Sequence, residues 1–367
     1  MEVLIMDELK IHELSLQFPH DKEMLIRFLN RNGLVYEEDI EAAYGIFTPE
    51  DELAGCGCCS GNLLKCFAVD ESLRGQNALG SLISRLTENR FAAGYYDLFV
   101  ITRPENRVLF TSCGFYPLAE TQSVLMLENK KNGLDSYYKK FEADGARLKS
   151  GAMNGGVGCI VMNCNPFTKG HQELITYAAS KCSLLHIFVV EENRSMFPFA
   201  DRFRLVREGT DHIPNVLVHP SGPYMISNAT FPTYFLKKGE DAARIQSELD
   251  ITLFASRIAP LLHITKRFAG EEPFDPVTRS YNEAMVRLLP QYGISFIRIA
   301  RFTTGGPQDE IISASRVRKL LMEEGVTEKL LSFVPPCTAE YLKKNQALWK
   351  KTAEQEAIRG GDGHEAI

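Results

Sequence analysis

The sequence predicts an α/β fold in two parts, a larger one built on a parallel sheet and, before it, a smaller α+β one. Three observations carry this. In the second half apolar strand-like segments alternate with amphipathic helix-like segments, the first half mixes both element types around one strand–loop–helix unit, and a polar joint rich in Gly, Asn, Lys and Asp, from Lys131 to Gly156, lies between them. A chain of 367 residues also suits two domains. The expected boundaries are residues 1–130, a linker at 131–156 made of a helix and a flexible connection, residues 157–345, and a fraying tail at 346–367.

With 44% hydrophobic and 24% charged residues, the chain can bury cores of ordinary size. A formal net charge of -6 argues against nucleic-acid binding over a broad basic face. The chain has no apolar run of the length a membrane span needs, and MEVLIMDELKIHEL at the amino end has acidic residues where a signal peptide needs a basic start. The expectation is a cytoplasmic protein with no membrane partner.

The nine cysteines, an odd number mostly in apolar segments, read as reduced buried thiols. Cys56 and Cys59 have CxxC spacing, with Cys58 between them and Cys66 beyond. Zinc would want a second ligand pair, and AGCGCCSGNLLKCFAVD reads as strand and hairpin instead.

In the first half a strand at Cys66 to Val69 precedes a loop and a helix beginning near Asn77; VLFTSCGFYPL follows at Val108 to Leu118. In the second half the candidate strands are GCIVMNC, LLHIFVVEE, NVLVHP, HITKRFAG and ISFIRIARF. The helical patterns are HQELITYAASKC, ADRFRLVREGTDHI, GEDAARIQSELDITLFASRIAPLL and ASRVRKLLMEEG. Such alternation implies a parallel sheet covered on both faces, with ligands beyond the carboxyl ends of its strands. His171 and Gly270 both fall there.

The stretch VMNCNPFTKGHQELI, Val161 to Ile175, runs from strand through turn to helix. A helix starting near His171 aims its unpaired backbone N–H groups at the turn, which favours an anion, usually phosphate. Lys169 and His171 add side-chain donors. In DEIISASRVRKLLMEEG, Ser313 and Ser315 sit where an N-cap and first turn belong, and Arg318 follows Ser315 by one turn. Arg suits phosphate because its planar fork binds two oxygens at once. Taken singly, the histidine also reads as a helix cap, and SxSRxR as a capped helix with a solvated basic face. Their pairing within one α/β half favours a phosphate site.

Thr168-Lys169-Gly170-His171 resembles the T/HxGH motif, and Ile312 to Arg318, ISASRVR, the ISSTxxR motif, of the HIGH-type nucleotidyltransferases. Thr168 replaces the first His of many members and keeps a hydroxyl donor; Ser315 replaces Thr and loses a methyl. The resemblance implies a Rossmann-like nucleotidyltransferase domain that transfers a nucleotidyl group and releases pyrophosphate with Mg²⁺. His171, with Thr168 and Lys169, would stabilise the transferred phosphate. Asn163, Asn165, Pro166, Phe167, Gly170, Gly270, Glu272, Ser313, Ser315, Arg316 and Arg318 would bind the nucleotide, the two serines and Arg318 gripping the leaving pyrophosphate.

The surrounding segments, MNCNPFTKGHQELI, Ser221 to Lys237 and RFAGEEPFDPVTRSYNEAM, make the chain similar to the citrate lyase ligase family. That similarity implies ATP-dependent adenylation of acetate, then transfer of the acetyl group to the thiol of the phosphoribosyl-dephospho-CoA arm on the citrate lyase acyl carrier subunit. Ser227, Thr230, Lys237, Thr278, Tyr281 and Asn282 are the candidates to face the substrate or the carrier arm. Glu271, Glu272 and Asp275 are candidates to recruit Mg²⁺ or orient the adenosine, against a loop and helix cap.

The first half is similar to the GNAT acetyltransferase fold through RGQNALG, Arg74 to Gly80, and CGFY, Cys113 to Tyr116. Of that fold's pyrophosphate loop only Gly80 matches. The region then either cradles a CoA-like arm or is a vestigial domain that docks the lyase. Other readings are a cofactor-making adenylyltransferase, a ligase of a related acyl carrier system and a CoA-dependent N-acetyltransferase.

Overall fold

A computed structural model describes residues 10–73, 76–148, 155–191, 195–225, 231–271, 276–303 and 310–349. The chain forms two compact units: residues 1–136 with 226–257, and residues 137–225 with 258–367.

The first unit carries β1 (Lys10–Leu14), α1 (Pro19–Arg31), β2 (Ala42–Phe47), β3 (Leu53–Ser60), β4 (Leu63–Val69), α2 (Ala78–Ala92), β5 (Phe99–Thr102), α3 (Arg107–Ser112), β6 (Tyr116–Glu120) and β7 (Leu125–Glu128). Its sheet has the order β1-β2-β3-β4-β5-β7-β6. Every pairing is antiparallel except β4 with β5, which run parallel over Leu63↔Phe99 and Leu64↔Val100. This is the mixed α+β half. The helix expected near Asn77 begins there, with Asn77 as a left-handed N-cap at φ 55°. A Cβ at Gly80 would come within 2.4 Å of the Asn77 side-chain oxygen, so the one glycine matching the pyrophosphate loop is spent on the helix's own entry turn.

Cys56, Cys58 and Cys59 on β3 and Cys66 on β4 all bury their thiols in this unit, as strand residues do. The Cys56 thiol donates to the Cys66 carbonyl at 3.4 Å, and burial holds it well above its usual range. All nine cysteines are free.

Helix α4 (Gly133–Leu148) occupies the front of the stretch read as a linker. Then come β8 (Val157–Met162), α5 (Lys169–Ala179), β9 (Leu184–Val189), α6 (Phe199–Thr210) and β10 (Val216–Pro220). The next helix, α7 (Ala242–Leu253), belongs to the first unit although its chain neighbours are second-unit strands. The segment around it is pinned there: Arg103 pairs with Glu240 and donates to the Phe235 carbonyl, Tyr234 Oη donates to the Ile101 carbonyl at 3.1 Å, and Glu37 accepts from Thr233. After it the second unit resumes with α8 (Ala259–Leu261), β11 (Ile264–Gly270), α9 (Pro276–Leu288), β12 (Ser295–Ile299), α10 (Ala314–Glu323), α11 (Glu328–Ser332) and α12 (Pro336–Lys344).

The second sheet is all parallel, in the order β10-β9-β8-β11-β12. This is the expected Rossmann-like sheet: the chain moves outward from β8 on one side, then returns to β11 and moves outward on the other. At that reversal the flanking connections diverge and open a crevice beyond the carboxyl ends of β8 and β11. Phe167, Ile187, Phe197, Phe268 and Phe333 fill the core beneath it. Among the described residues no helix is long and apolar enough to cross a membrane.

Candidate functional site at the strand-order reversal

A cavity of about 770 Å³ opens at that point, lined from the ends of β8, β11 and β12 and from the starts of α5 and α10. Of the residues singled out from the sequence, Asn163, Asn165, Thr168, Gly170, His171, Gly270, Thr278, Tyr281, Asn282, Ser313, Ser315 and Arg318 line it.

Helix α5 starts two residues before His171, with Thr168 as N-cap in extended conformation. The two residues close a reciprocal cap: the His171 backbone N–H donates to Thr168 Oγ1 at 3.4 Å, and the Thr168 backbone N–H donates to His171 Nδ1 at 3.1 Å. The second bond fixes the tautomer. A backbone N–H can only donate, so Nδ1 is the acceptor and the neutral ring carries its proton on Nε2. Burial, with the nearby Arg301 charge, pushes the imidazole down to about 4, so His171 is a neutral donor at physiological pH. Phe167, fully buried, lies parallel to the ring at 6.1 Å between centroids.

The turn before α5 is held from behind. Arg202 of α6, fully buried, donates to the Asn163 carbonyl and side-chain oxygen at 2.6 Å each, and to the Val190 and Phe197 carbonyls. Asn165 Oδ1 accepts from the Phe197 N–H at 3.0 Å. A guanidinium surrounded by these fixed acceptors ties the ends of β8 and β9 to the start of α6, and so sets where α5 begins.

Helix α10 starts as read, with Ser313 as N-cap accepting from the Arg316 N–H at 3.2 Å. Arg318, one turn on, donates to the Asn165 carbonyl and to Ser315 Oγ at 3.3 Å, bridging the two motifs. Partial burial lowers its pKa, which marks a guanidinium with reduced access to water. The motifs also touch through backbone: a Cβ at Gly170 would sit 3.2 Å from the Ile312 carbonyl oxygen. Glycine there lets the two helix starts approach closely. Thr168 and Ser313 are the N-caps, with His171 closing the first cap from its third position, and the two capped ends converge on one cavity.

The other wall comes from β11, α9 and the end of β12. Asn282 Nδ2 donates to the Gly270 carbonyl at 3.1 Å, and a Cβ at Gly270 would meet open space. Arg267, buried, donates to Cys159 Sγ at 3.2 Å; Arg301 Nε donates to the Glu271 carbonyl at 2.7 Å. Both arginines and Glu271 line the cavity.

Several expected members stand apart from it. Lys169 is exposed and its N–H donates to the Phe333 carbonyl. Pro166 and Phe167 are buried supports beneath the turn. Arg316 pairs with Glu310 at 2.7 Å and lies over the Phe333 ring. Lys237 and Gly80 belong to the first unit. Ser227, Thr230, Glu272 and Asp275 lie outside the described residues, as do residues 350–367 of the expected tail. The sequence reading missed Arg202, Arg267 and Arg301. A signal existed for Arg301, a cation directly after an apolar parallel strand, where ligands bind.

Among the described residues no group of three His, Cys, Asp or Glu side chains is placed to hold a metal ion. Two helix N-termini and the Arg318 guanidinium form instead a donor set for phosphate oxygens.

Comparison with known proteins identifies the family. The family model described as Citrate lyase ligase C-terminal domain matches residues 157–342, the span of the second sheet and its site. The citrate (pro-3S)-lyase ligase of Klebsiella pneumoniae is 39% identical over 330 residues, 88% of this chain and 92% of that protein. The Haemophilus influenzae ligase of the same name is 39% identical, over 86% and 93%. Among solved structures, glucosamine-6-phosphate N-acetyltransferase from Arabidopsis thaliana aligns at 15% identity, covering 30% of this chain and 92% of that one, with a TM-score of 0.26. Spermidine N-acetyltransferase from Vibrio cholerae aligns at 14% identity over 34% and 96%, with a TM-score of 0.28. By the family model and by relatives matching nearly its whole length, the chain belongs to the citrate lyase ligase family and is a ligase.

Proposed function

We propose that the protein is an AMP-forming acid–thiol ligase that adenylates acetate with ATP. It then transfers the acetyl group to the thiol of the phosphoribosyl-dephospho-CoA arm on the citrate lyase acyl carrier subunit, which activates citrate lyase. The observation that carries this reading is the convergence of two capped helix N-termini, α5 and α10, on one cavity, with Gly170 against the Ile312 carbonyl and Arg318 bridging to Asn165.

Acetate is ionised at neutral pH, so its oxygen attacks the α-phosphorus without a general base. A bond forms between that oxygen and phosphorus, and the bond to the bridging oxygen of the leaving pyrophosphate breaks, the electron pair going with pyrophosphate. No proton moves. The work left to the protein is to position the reactants and to stabilise charge growing on phosphoryl oxygens. His171 suits this as a neutral donor whose tautomer is fixed by Thr168, and Ser313, Ser315, Arg318 and the α10 amides suit the β- and γ-phosphates. Thr278, Tyr281 and Asn282 line the side left for the acyl acid or the carrier arm. Mg²⁺, which binds through few carboxylates and keeps much of its water, would be held largely by the nucleotide's phosphates, with the Glu271 carboxylate in reach of the cavity.

The test is incubation with ATP, Mg²⁺ and acetate, with and without deacetylated citrate lyase, measuring pyrophosphate, AMP and acetylated carrier. Acetate-dependent pyrophosphate release and carrier acetylation are expected. Pyrophosphate release indifferent to acetate would overturn the reading, and formation of a dinucleotide would replace it with cofactor synthesis.

A further inference from the structure

In the first sheet β4 and β5 run parallel but pair at only two positions, Leu63↔Phe99 and Leu64↔Val100, although β4 continues to Val69 and β5 to Thr102. Cys66, in the left-handed region at φ 56°, and a register shift against β3 between Cys56 and Cys58 bend β4 there. Past the last shared rung the strands part and leave a slot at their carboxyl ends, the side from which the chain runs on to α2. Such a slot presents unpaired backbone N–H and C=O groups along both edges, and it suits a thin extended group with amides of its own. The pantetheine part of CoA, or of the carrier's arm, has that shape and chemistry.

The slot is already filled from within the same unit. Tyr234, buried, donates its Oη–H to the Ile101 carbonyl of β5 at 3.1 Å, and the same phenol is hydrogen-bonded by the Cys66 backbone of β4 and the Thr102 side chain of β5. One hydroxyl stands in for the missing rungs. Its chain neighbours are clamped to both edges. Lys65, the first residue past the last rung on β4, donates to Glu37 at 2.9 Å, and Glu37 accepts from the Thr233 N–H at 2.6 Å and hydroxyl at 2.8 Å. The Val35 N–H donates to the Tyr234 carbonyl at 2.9 Å. Arg103, directly after β5, donates to the Phe235 carbonyl at 3.1 Å and pairs with Glu240. The start of α2 is occupied too, since the Asn77 side-chain oxygen lies against Gly80.

We propose that Tyr234 is a built-in plug that closes the slot between β4 and β5, so that the first unit receives neither CoA nor the thiol arm of the carrier. The plug stands on the geometry of the first unit and goes beyond the ligase reading. It also removes the N-acetyltransferase alternative, which needs CoA in this unit.

Equilibrium dialysis of CoA against the full chain, with ATP saturating, compares wild type with Tyr234→Ala and Tyr234→Phe, and hydrogen exchange at the Cys66 amide reports the slot itself. Wild type is expected to show no saturable binding below about 1 mM, and Cys66 exchange that CoA leaves unchanged. Tyr234→Ala, with the slot opened, is expected to bind CoA about tenfold more tightly than wild type or better, with CoA now slowing Cys66 exchange. Tyr234→Phe keeps the ring and loses the hydroxyl, so it should stay closed to CoA while Cys66 exchanges faster. Saturable CoA binding by wild type that protects Cys66 would overturn the proposal, as would a folded Tyr234→Ala that binds CoA no better than wild type. Should Tyr234→Ala fail to fold, Tyr234→Phe decides: Cys66 exchange equal to that of wild type would show that the phenol does not bridge the strands.

Discussion

The starts of α5 and α10 face the same cavity, but they are built differently. At α5 the cap is closed on itself: Thr168 is buried, His171 returns its bond, and the ring is neutral. At α10 the cap is one-sided, Ser315 is exposed, and the side chain that reaches back is a charged arginine. A closed neutral cap loses little by reorganising and suits a position where charge appears only transiently. An open charged end suits a group that arrives and leaves already ionised. The difference teaches that helix N-termini of the same kind can be tuned to opposite tasks by the residues of their first turn.

His171→Ala should break this comparison most severely. Removing one preorganised donor is expected to lower turnover by about 100-fold or more, read as acetate-dependent pyrophosphate release. Next comes pH. The folded imidazole protonates at about 4 and the unfolded one near 6.5, so below 6.5 the unfolded chain binds a proton that the folded chain refuses. His171 should therefore contribute a fall in stability as pH drops from 6.5 toward 4, by roughly 3 kcal/mol at most, and the slope should be shallower in His171→Ala in denaturant titrations, the remainder coming from His219, whose imidazole burial also holds down to about 3. Arg318→Ala is expected to weaken ATP use by about tenfold to 100-fold, with the loss in the ATP KM more than in the pH behaviour. The smallest effects separate the caps themselves: Thr168→Val and Ser313→Ala should each cost about 1 kcal/mol of stability, but only Thr168→Val should also disturb turnover, through the freed histidine ring.

Much of this was legible in the sequence because it is local. The 3.6-residue period placed Arg318 over Ser315, and strand-turn-helix chemistry placed a helix start near His171, although the N-cap proved to be Thr168. What stayed hidden depends on which way a side chain leaves its helix or on what a distant segment brings. Lys169 follows Thr168 directly yet points away, because successive residues on a helix diverge by about 100°. Arg316 shares the basic run with Arg318, and its partner, Glu310, lies outside the helix. Arg202 looks like any amphipathic-helix arginine until four carbonyl and amide oxygens from two connections close around it. The periodicity of α7 told that a helix would form there but not which core would receive its apolar face, since that face is equally suited to either sheet.

The assignment of α7 and Tyr234 to the first unit has a practical outcome for anyone dissecting the protein. The first unit is discontinuous in the chain, so cutting after residue 136 yields an amino-terminal fragment without Tyr234, Glu240 and α7, and leaves the remainder carrying an orphaned apolar helix. Truncation is thus the wrong tool for asking what each half does. Point substitutions, or excision of residues 226–257 with their regrafting by circular permutation, respect the way the polypeptide is threaded.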